Sequence, residues 1–120
     1  MNIIDLLRQG ENASLEFKEA LVRADSLAKE IVAFANTQGG SLLIGISDDG
    51  AVVGVQGEIN YEEYFSNLAR NNIIPAIDIQ TESIIYDEKK IIVVNIPKGK
   101  DKPYQTLNHQ FLIRIGSTNR

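Results

Sequence analysis

The chain contains no cysteine, which excludes a disulfide framework and any zinc site built from thiolates, and fits a reducing compartment. It has no apolar run near the roughly twenty residues that a membrane-spanning helix needs. Its start, MNIIDLLRQGENASLEFK, carries neither the basic region nor the long apolar core of a secretory signal. A cytoplasmic protein without a membrane partner is the expectation. Histidine occurs once, at His109, with no serine or cysteine nucleophile motif beside it, so it reads as a strand residue rather than a catalyst. Internal repeats, linkers and low-complexity segments are also missing. What remains is ordinary for a globular protein: 43% apolar and 23% charged residues in 120, enough for one domain over residues 1–120 with one core.

The net charge of −4 argues at first against a polyanion partner. The distribution argues for one. From Lys89 onward there are seven basic residues against Asp101 alone, whereas the part before it holds five basic and fifteen acidic residues. Such a split points to a polyanion-binding face, with a merely solvated lysine surface as the plainer reading.

Hydrophobic spacing predicts a short helix over NIIDLLRQG, capped by Asn2 and stopped by Gly10, then a strand in SLEFKEAL with Leu15 and Phe17 on one face and Glu16 and Lys18 on the other. A second helix, LAKEIVAFANTQ, starts at a cap of Asp25 or Ser26 and ends at Gly39 and Gly40. SLLIGIS reads as a central strand that turns at DDG into AVVGV as a hairpin. Asn60 and Glu63 have capping-box spacing ahead of a third helix whose Phe65, Leu68 and Ala69 face inward. IPAIDIQTESIIYD and KKIIVVNIPKG form two strands turning at Asp87–Lys89. HQFLIRIG forms the last strand, and the polar KGKDKPYQTLNH an exposed loop. The order predicts an α+β fold: a mixed sheet of about six strands with two to three helices packed on one side.

Three separated blocks, GENASLEFKEAL, EIVAFANTQGGSLLIGISDDGAVVGV and KPYQTLNHQFLIRIGSTNR, resemble the Schlafen-type Alba-like domain, a family labelled as DNA-binding. The likeness runs from Gly10 to Arg120. It implies nucleic-acid recognition, of DNA or structured RNA, in a domain that stands at the N-terminus of a longer transcriptional regulator. It also implies a tendency to pair, hence a homodimer or assembly module as a further alternative. Some RNA-cutting members of the family are metal-dependent nucleases. An older description of the family as an ATPase finds no support, because the chain lacks the G-x-x-x-x-G-K-[ST] loop that cradles phosphates.

A metal-dependent nuclease needs two or three clustered carboxylates to hold Mg²⁺ or Mn²⁺. Glu11, Glu16 and Asp48, with Asp49 as fallback, match the positions that the resemblance implies. Five residues apart on one strand would put Glu11 and Glu16 on opposite faces, so Glu11 has to lie in the turn after Gly10 and curl back. In the plainer reading Glu16 pairs with Lys18 on a wet face and the aspartates only make a turn. The binding reading requires no cofactor. Its contacts are Lys18, Asn36, Thr37, Lys98, Lys100, Lys102, Tyr104, Arg114 and Arg120: cations for phosphates, Tyr104 to stack on a base, and the polar helix end to approach a sugar or phosphate. Asn36, Thr37 and Gln38 have a plainer role too, satisfying the last carbonyls of their helix.

Overall fold

The computed structural model describes residues 3–120. The cap read at Asn2 lies outside them. Three helices, α1 (Ile3–Gln9), α2 (Ala24–Ala35) and α3 (Tyr61–Asn71), accompany a four-stranded mixed sheet of β1 (Leu15–Lys18), β2 (Gly40–Ile44), β4 (Gln80–Tyr86) and β5 (Lys89–Ile96). Two short ribbons complete the α+β fold: β3 (Ile73–Ile74) with β6 (Gln105–Thr106), and β7 (Arg114–Ile115) with β8 (Thr118–Asn119). The sheet order is β1-β2-β5-β4. β1 and β2 run parallel, joined through α2, while β5 is antiparallel to both of its neighbours.

The fully apolar β2 sits where such a strand must, covered on both faces. Leu42 and Ile44 join Ile92, Val94 and Ile96 of β5 beneath α2 and α3, and Leu43 joins Ile91 and Val93 on the opposite face. There Ile3, Leu6 and Leu7 of α1 pack together with Leu15 and Phe17. The helices therefore lie on both sides of the sheet and not on one. This fixes the direction of β1's polar residues: with Leu15 and Phe17 turned toward α1, Glu16 and Lys18 point toward α2.

The two glycines after α2 are required by geometry. Gly39 has φ +78 and donates to the Phe34 carbonyl at 2.8 Å, closing the helix in the left-handed exit. At Gly40 a Cβ would stand 2.5 Å from the Phe34 ring, so β2 can start against the helix only without a side chain. At the other end of α2 neither Asp25 nor Ser26 caps. Arg23 occupies that position without a capping side-chain hydrogen bond; its guanidinium instead pairs with Asp25 at 3.0 Å.

The structure departs from expectation where pairing edges are already taken. The hairpin read into SLLIGIS-DDG-AVVGV shrinks to one bridge, Ile46 with Val52, because β1 and β5 occupy both edges of β2. The strand read from IPAIDIQ onward breaks in two after Ile74, where Pro75 offers no N–H to a ladder. Residues Asp87 and Glu88, both at positive φ, form a two-residue loop between β4 and β5. HQFLIRIG is not a continuous strand either. His109 lies in a turn at φ 63, donating to the Thr106 carbonyl, and pairing with the last residues begins only at Ile113, which exchanges hydrogen bonds with Arg120.

Asn60 caps α3 as its spacing predicts, its side chain accepting from the Glu63 N–H at 3.0 Å, and Phe65, Leu68 and Ala69 are buried. Replacing such a cap by alanine costs about 1 kcal/mol. Asn60→Ala is expected to lower the unfolding free energy in urea by about that amount with an unchanged slope, while Asn60→Asp retains most of it.

Candidate nucleic-acid interface and the charged cluster behind it

Arg114 was expected on the surface and is instead buried, its side chain only 1% exposed. An arginine stays charged, so its burial demands a partner for each of its five N–H donors. It has them. Nε and Nη2 reach the Asn12 carbonyl at 3.3 and 2.8 Å, Nη2 also reaches the Leu15 carbonyl at 3.2 Å, and Nη1 donates to Asn119 Oδ1 and Glu16 Oε1, both at 2.9 Å. Its guanidinium lies 4.7 Å from the centre of the Phe34 ring. A group so fully engaged is not available to a phosphate.

Around it lies a cluster of three carboxylates and two cations. Lys18 Nζ contacts Glu30 at 2.6 Å and Glu16 at 3.9 Å, so Lys18 too is withdrawn from the proposed binding set. Glu11 curls back as the spacing required, accepting from the Phe17 N–H at 3.4 Å. Ionised throughout, the cluster would carry one excess negative charge. Burial, then a hydrogen bond shared with Glu11 and the charge of Glu30, outweigh Arg114 and push the Glu16 carboxyl up to about 7. Glu30 is raised as well, its burial prevailing over Lys18, and its Oε2 is buried without a hydrogen-bond partner among the described residues. Burial works against the Lys18 charge, but Glu30 and Glu16 prevail and raise it.

Glu30 was missed in the sequence although a signal was there. It lies within the apolar stripe of α2, three residues after Leu27 and beside Ile31, where a carboxylate needs a partner. The polar face of β1 supplies that partner.

The nuclease set is only partly assembled. Glu11 and Glu16 meet, whereas Asp48 is exposed on the turn. Asp49, the fallback, bonds the Ser47 hydroxyl, which with the Ala51 N–H lowers its pKa. Both Glu16 oxygens and Glu30 Oε1 face protein cations, Arg114 or Lys18. Among the described residues no group of three or more His, Asp or Glu is arranged to hold a metal, so this donor set does not fit Mg²⁺ or Mn²⁺.

The polar helix end is a fastening. Asn36 Nδ2 donates to the carbonyls of Tyr104 and Leu112, both at 2.9 Å, and Oδ1 accepts from the Tyr104 N–H at 2.7 Å. Thr37 Oγ1 donates to the Ala33 carbonyl, the helix-end role expected of it, and accepts from the Arg114 N–H at 2.8 Å. Tyr104 is buried, its hydroxyl accepting from the Asp101 N–H, so its ring cannot stack on a base.

Lys98, Lys100, Lys102 and Arg120 remain exposed. Lys102 Nζ donates to the Thr37 carbonyl at 3.1 Å, fixing its position beside the helix end. Lys98 and Lys100 line the mouth of an open groove with Arg70, but Asp78, Glu82 and Asp101 line it too. The groove is thus charge-balanced. Lys102 and Arg120 do not line this groove and remain exposed outside it.

The sequence model of the Schlafen, AlbA_2 family matches residues 11–120. A protein of Ureaplasma parvum serovar 3, named an uncharacterized ATP-binding protein, is 33% identical in an alignment 92 residues long that covers 71% of this chain and 26% of that protein. Among solved structures, the N-terminal domain of a RecG-related protein from Nitrosomonas europaea superposes with a TM-score of 0.68 at 22% identity, covering 97% of this chain and 90% of that domain. The DIP2311 protein of Corynebacterium diphtheriae superposes with a TM-score of 0.67 at 23% identity, over 90% of this chain and 22% of that one. These two likenesses concern the fold. The chain spans about a quarter of the length of the Ureaplasma relative.

Two outcomes are expected. Removing one partner of a buried, fully bonded charge costs about 3 to 5 kcal/mol, so Arg114→Ala is expected to lose that much stability in urea unfolding; a loss below about 1 kcal/mol would place the side chain in solvent. The second concerns pH. With Glu16 near 7 in the folded chain and near 4.5 unfolded, the folded state holds a proton that the unfolded chain has released, so stability falls as pH rises through this window. The loss from pH 5 to 8 is expected to be roughly 2 to 3 kcal/mol. Glu16→Gln should flatten it; an undiminished slope would assign it to other groups.

Proposed function

Because the chain belongs to the Schlafen AlbA_2 domain family, we propose that it is a nucleic-acid-binding module that meets the phosphate backbone with Lys98, Lys100, Lys102 and Arg120. One observation carries the reading: these cations are exposed on a segment that Asn36, Thr37 and Tyr104 fasten to the end of α2. A fastened segment presents its charges with less ordering cost on binding than a free loop would. Among the described residues no helix is long and apolar enough to cross a membrane; the basic face is read as a nucleic-acid surface on the strength of the family.

The solved fold relative is named RecG-related, and that name accords with a module that delivers a larger protein to DNA, as in a transcriptional regulator. The ATP-binding name of the other relative applies to a protein of which this chain covers 26%, and the present sequence has no phosphate-cradling loop of the G-x-x-x-x-G-K-[ST] kind. Without a recognition helix aimed at a groove, backbone and shape contacts dominate over base reading.

The test is a titration of labelled duplex and single-stranded oligonucleotides at two salt concentrations. Each phosphate contact contributes about 0.9 to the salt slope on duplex DNA. Lys98→Glu with Lys100→Glu is expected to weaken binding at least about tenfold and to lower the slope by about 2. Unchanged affinity would remove the proposed surface. The same mixtures with Mn²⁺ are expected to leave the oligonucleotides intact on a denaturing gel; cleavage abolished by Glu16→Gln would replace the binding reading by a nuclease one.

A further inference from the structure

The segment after β6 has an unusual pattern of exposure. Leu112 packs against the main core and Arg114 is buried, whereas Phe111, Ile113 and Ile115 are 55%, 48% and 50% exposed. Leu112 and Arg114 are held by their backbones as well, through Asn36 and Thr37. The inner side of residues 111–115 is therefore committed to the fold, and the outer side is a row of three large apolar groups. Scattered exposed apolar residues are ordinary, but three on one side of one segment form a patch.

Two exposed cations are tied to this segment. Arg120 exchanges both backbone hydrogen bonds with Ile113, at 2.7 and 2.9 Å, so it lies beside the middle of the row. Lys102 Nζ bonds the carbonyl of Thr37, whose hydroxyl receives the Arg114 N–H. The ammonium and the row thus share an anchor residue.

We propose that this row is a stacking platform for unpaired bases, with Phe111 as the aromatic contact and Lys102 and Arg120 meeting the flanking phosphates, so that the module prefers single-stranded over duplex nucleic acid. The inference rests on the nucleic-acid reading above and adds to it the kind of strand bound. It also supplies the aromatic contact that buried Tyr104 cannot make.

The occupant follows from charge and from what an apolar face requires. In a duplex the base faces are already stacked on one another, so Phe111, Ile113 and Ile115 would meet only sugar and phosphate. An unpaired strand offers free base faces together with negative charge, and base–aromatic stacking does not depend on which base is present. A second copy of the chain is less suited: a two-fold contact through this row is self-complementary and brings Lys102 and Arg120 of one copy toward those of the other. Like charges oppose that pairing and an anionic strand neutralises them.

The chain contains no tryptophan, so Phe111→Trp places a single, selectively excitable tryptophan at the proposed contact while retaining an aromatic. With a labelled dT oligonucleotide followed by anisotropy, Phe111→Trp is expected to bind within about twofold of wild type and to have its emission quenched at saturation. Phe111→Ser is expected to lose about tenfold or more of its single-strand affinity, the scale of one base stack, while duplex affinity stays within about twofold. If wild type binds the oligonucleotide, but quenching is absent and Phe111→Ser binds as wild type does, this inference falls and the backbone reading stands. If wild type binds neither probe, both fall. A dimer that Phe111→Ser converts to monomer with unchanged oligonucleotide affinity would make the row a subunit interface, and the inference would be wrong.

Discussion

A guanidinium removed from water must have every donor paired, and Arg114 meets that demand by tying the two ends of the chain together. Its partners are the Asn12 and Leu15 carbonyls and the Glu16 carboxylate from the start of the chain, and Asn119 from its end. Residues some hundred positions apart in sequence are therefore held in one place by a planar fork that lysine could not imitate. Once this contact forms, the outer row 111–115 and the exposed Arg120 have fixed positions. The surface proposed for nucleic acid is the outside of a structure whose inside is an ion cluster.

That cluster also explains the composition of β1. An edge strand with two charged residues on its helix side would be a fault if the side were dry and unpartnered. Here Glu30 enters from α2 and Arg114 from the C-terminal segment, and the Glu16 carboxyl, pushed up to about 7, has a raised affinity for a proton that offsets the remaining charge. The same contacts bear on metal chemistry. Carboxylates that face arginine and lysine are engaged with protein cations, and a divalent ion would have to displace them.

The fastening of residues 103–114 depends on side chains that bond backbone. Asn36 satisfies two carbonyls and one N–H of the C-terminal segment, and Thr37 joins α2 to Arg114. Such bonds hold a segment that has almost no sheet pairing of its own; β6 and β7 are two residues each. They also hold the lysine face against the end of a buried helix, where Gly39 and Gly40 let the chain turn and start the central strand.

Periodicity and turn chemistry, which act over a few residues, were enough to read α2, α3 with its Asn60 cap, the doubly covered β2 and the curl of Glu11. The α+β class and the family likeness were legible for the same reason. Interactions between distant residues were not. Lys18, Tyr104 and Arg114 are residue types that suit a nucleic-acid surface, and no local pattern distinguishes an arginine that meets phosphate from one that meets Glu16 across the fold. Likewise AVVGV has the pattern of a strand, but β2 has only two edges and other strands fill both. Sequence thus determined the three helices, the central strand and that positive charge gathers near the end of the chain; tertiary structure decided which outer segments pair as strands and which of those charges face water, because pairing and burial depend on what the rest of the chain brings to the same place.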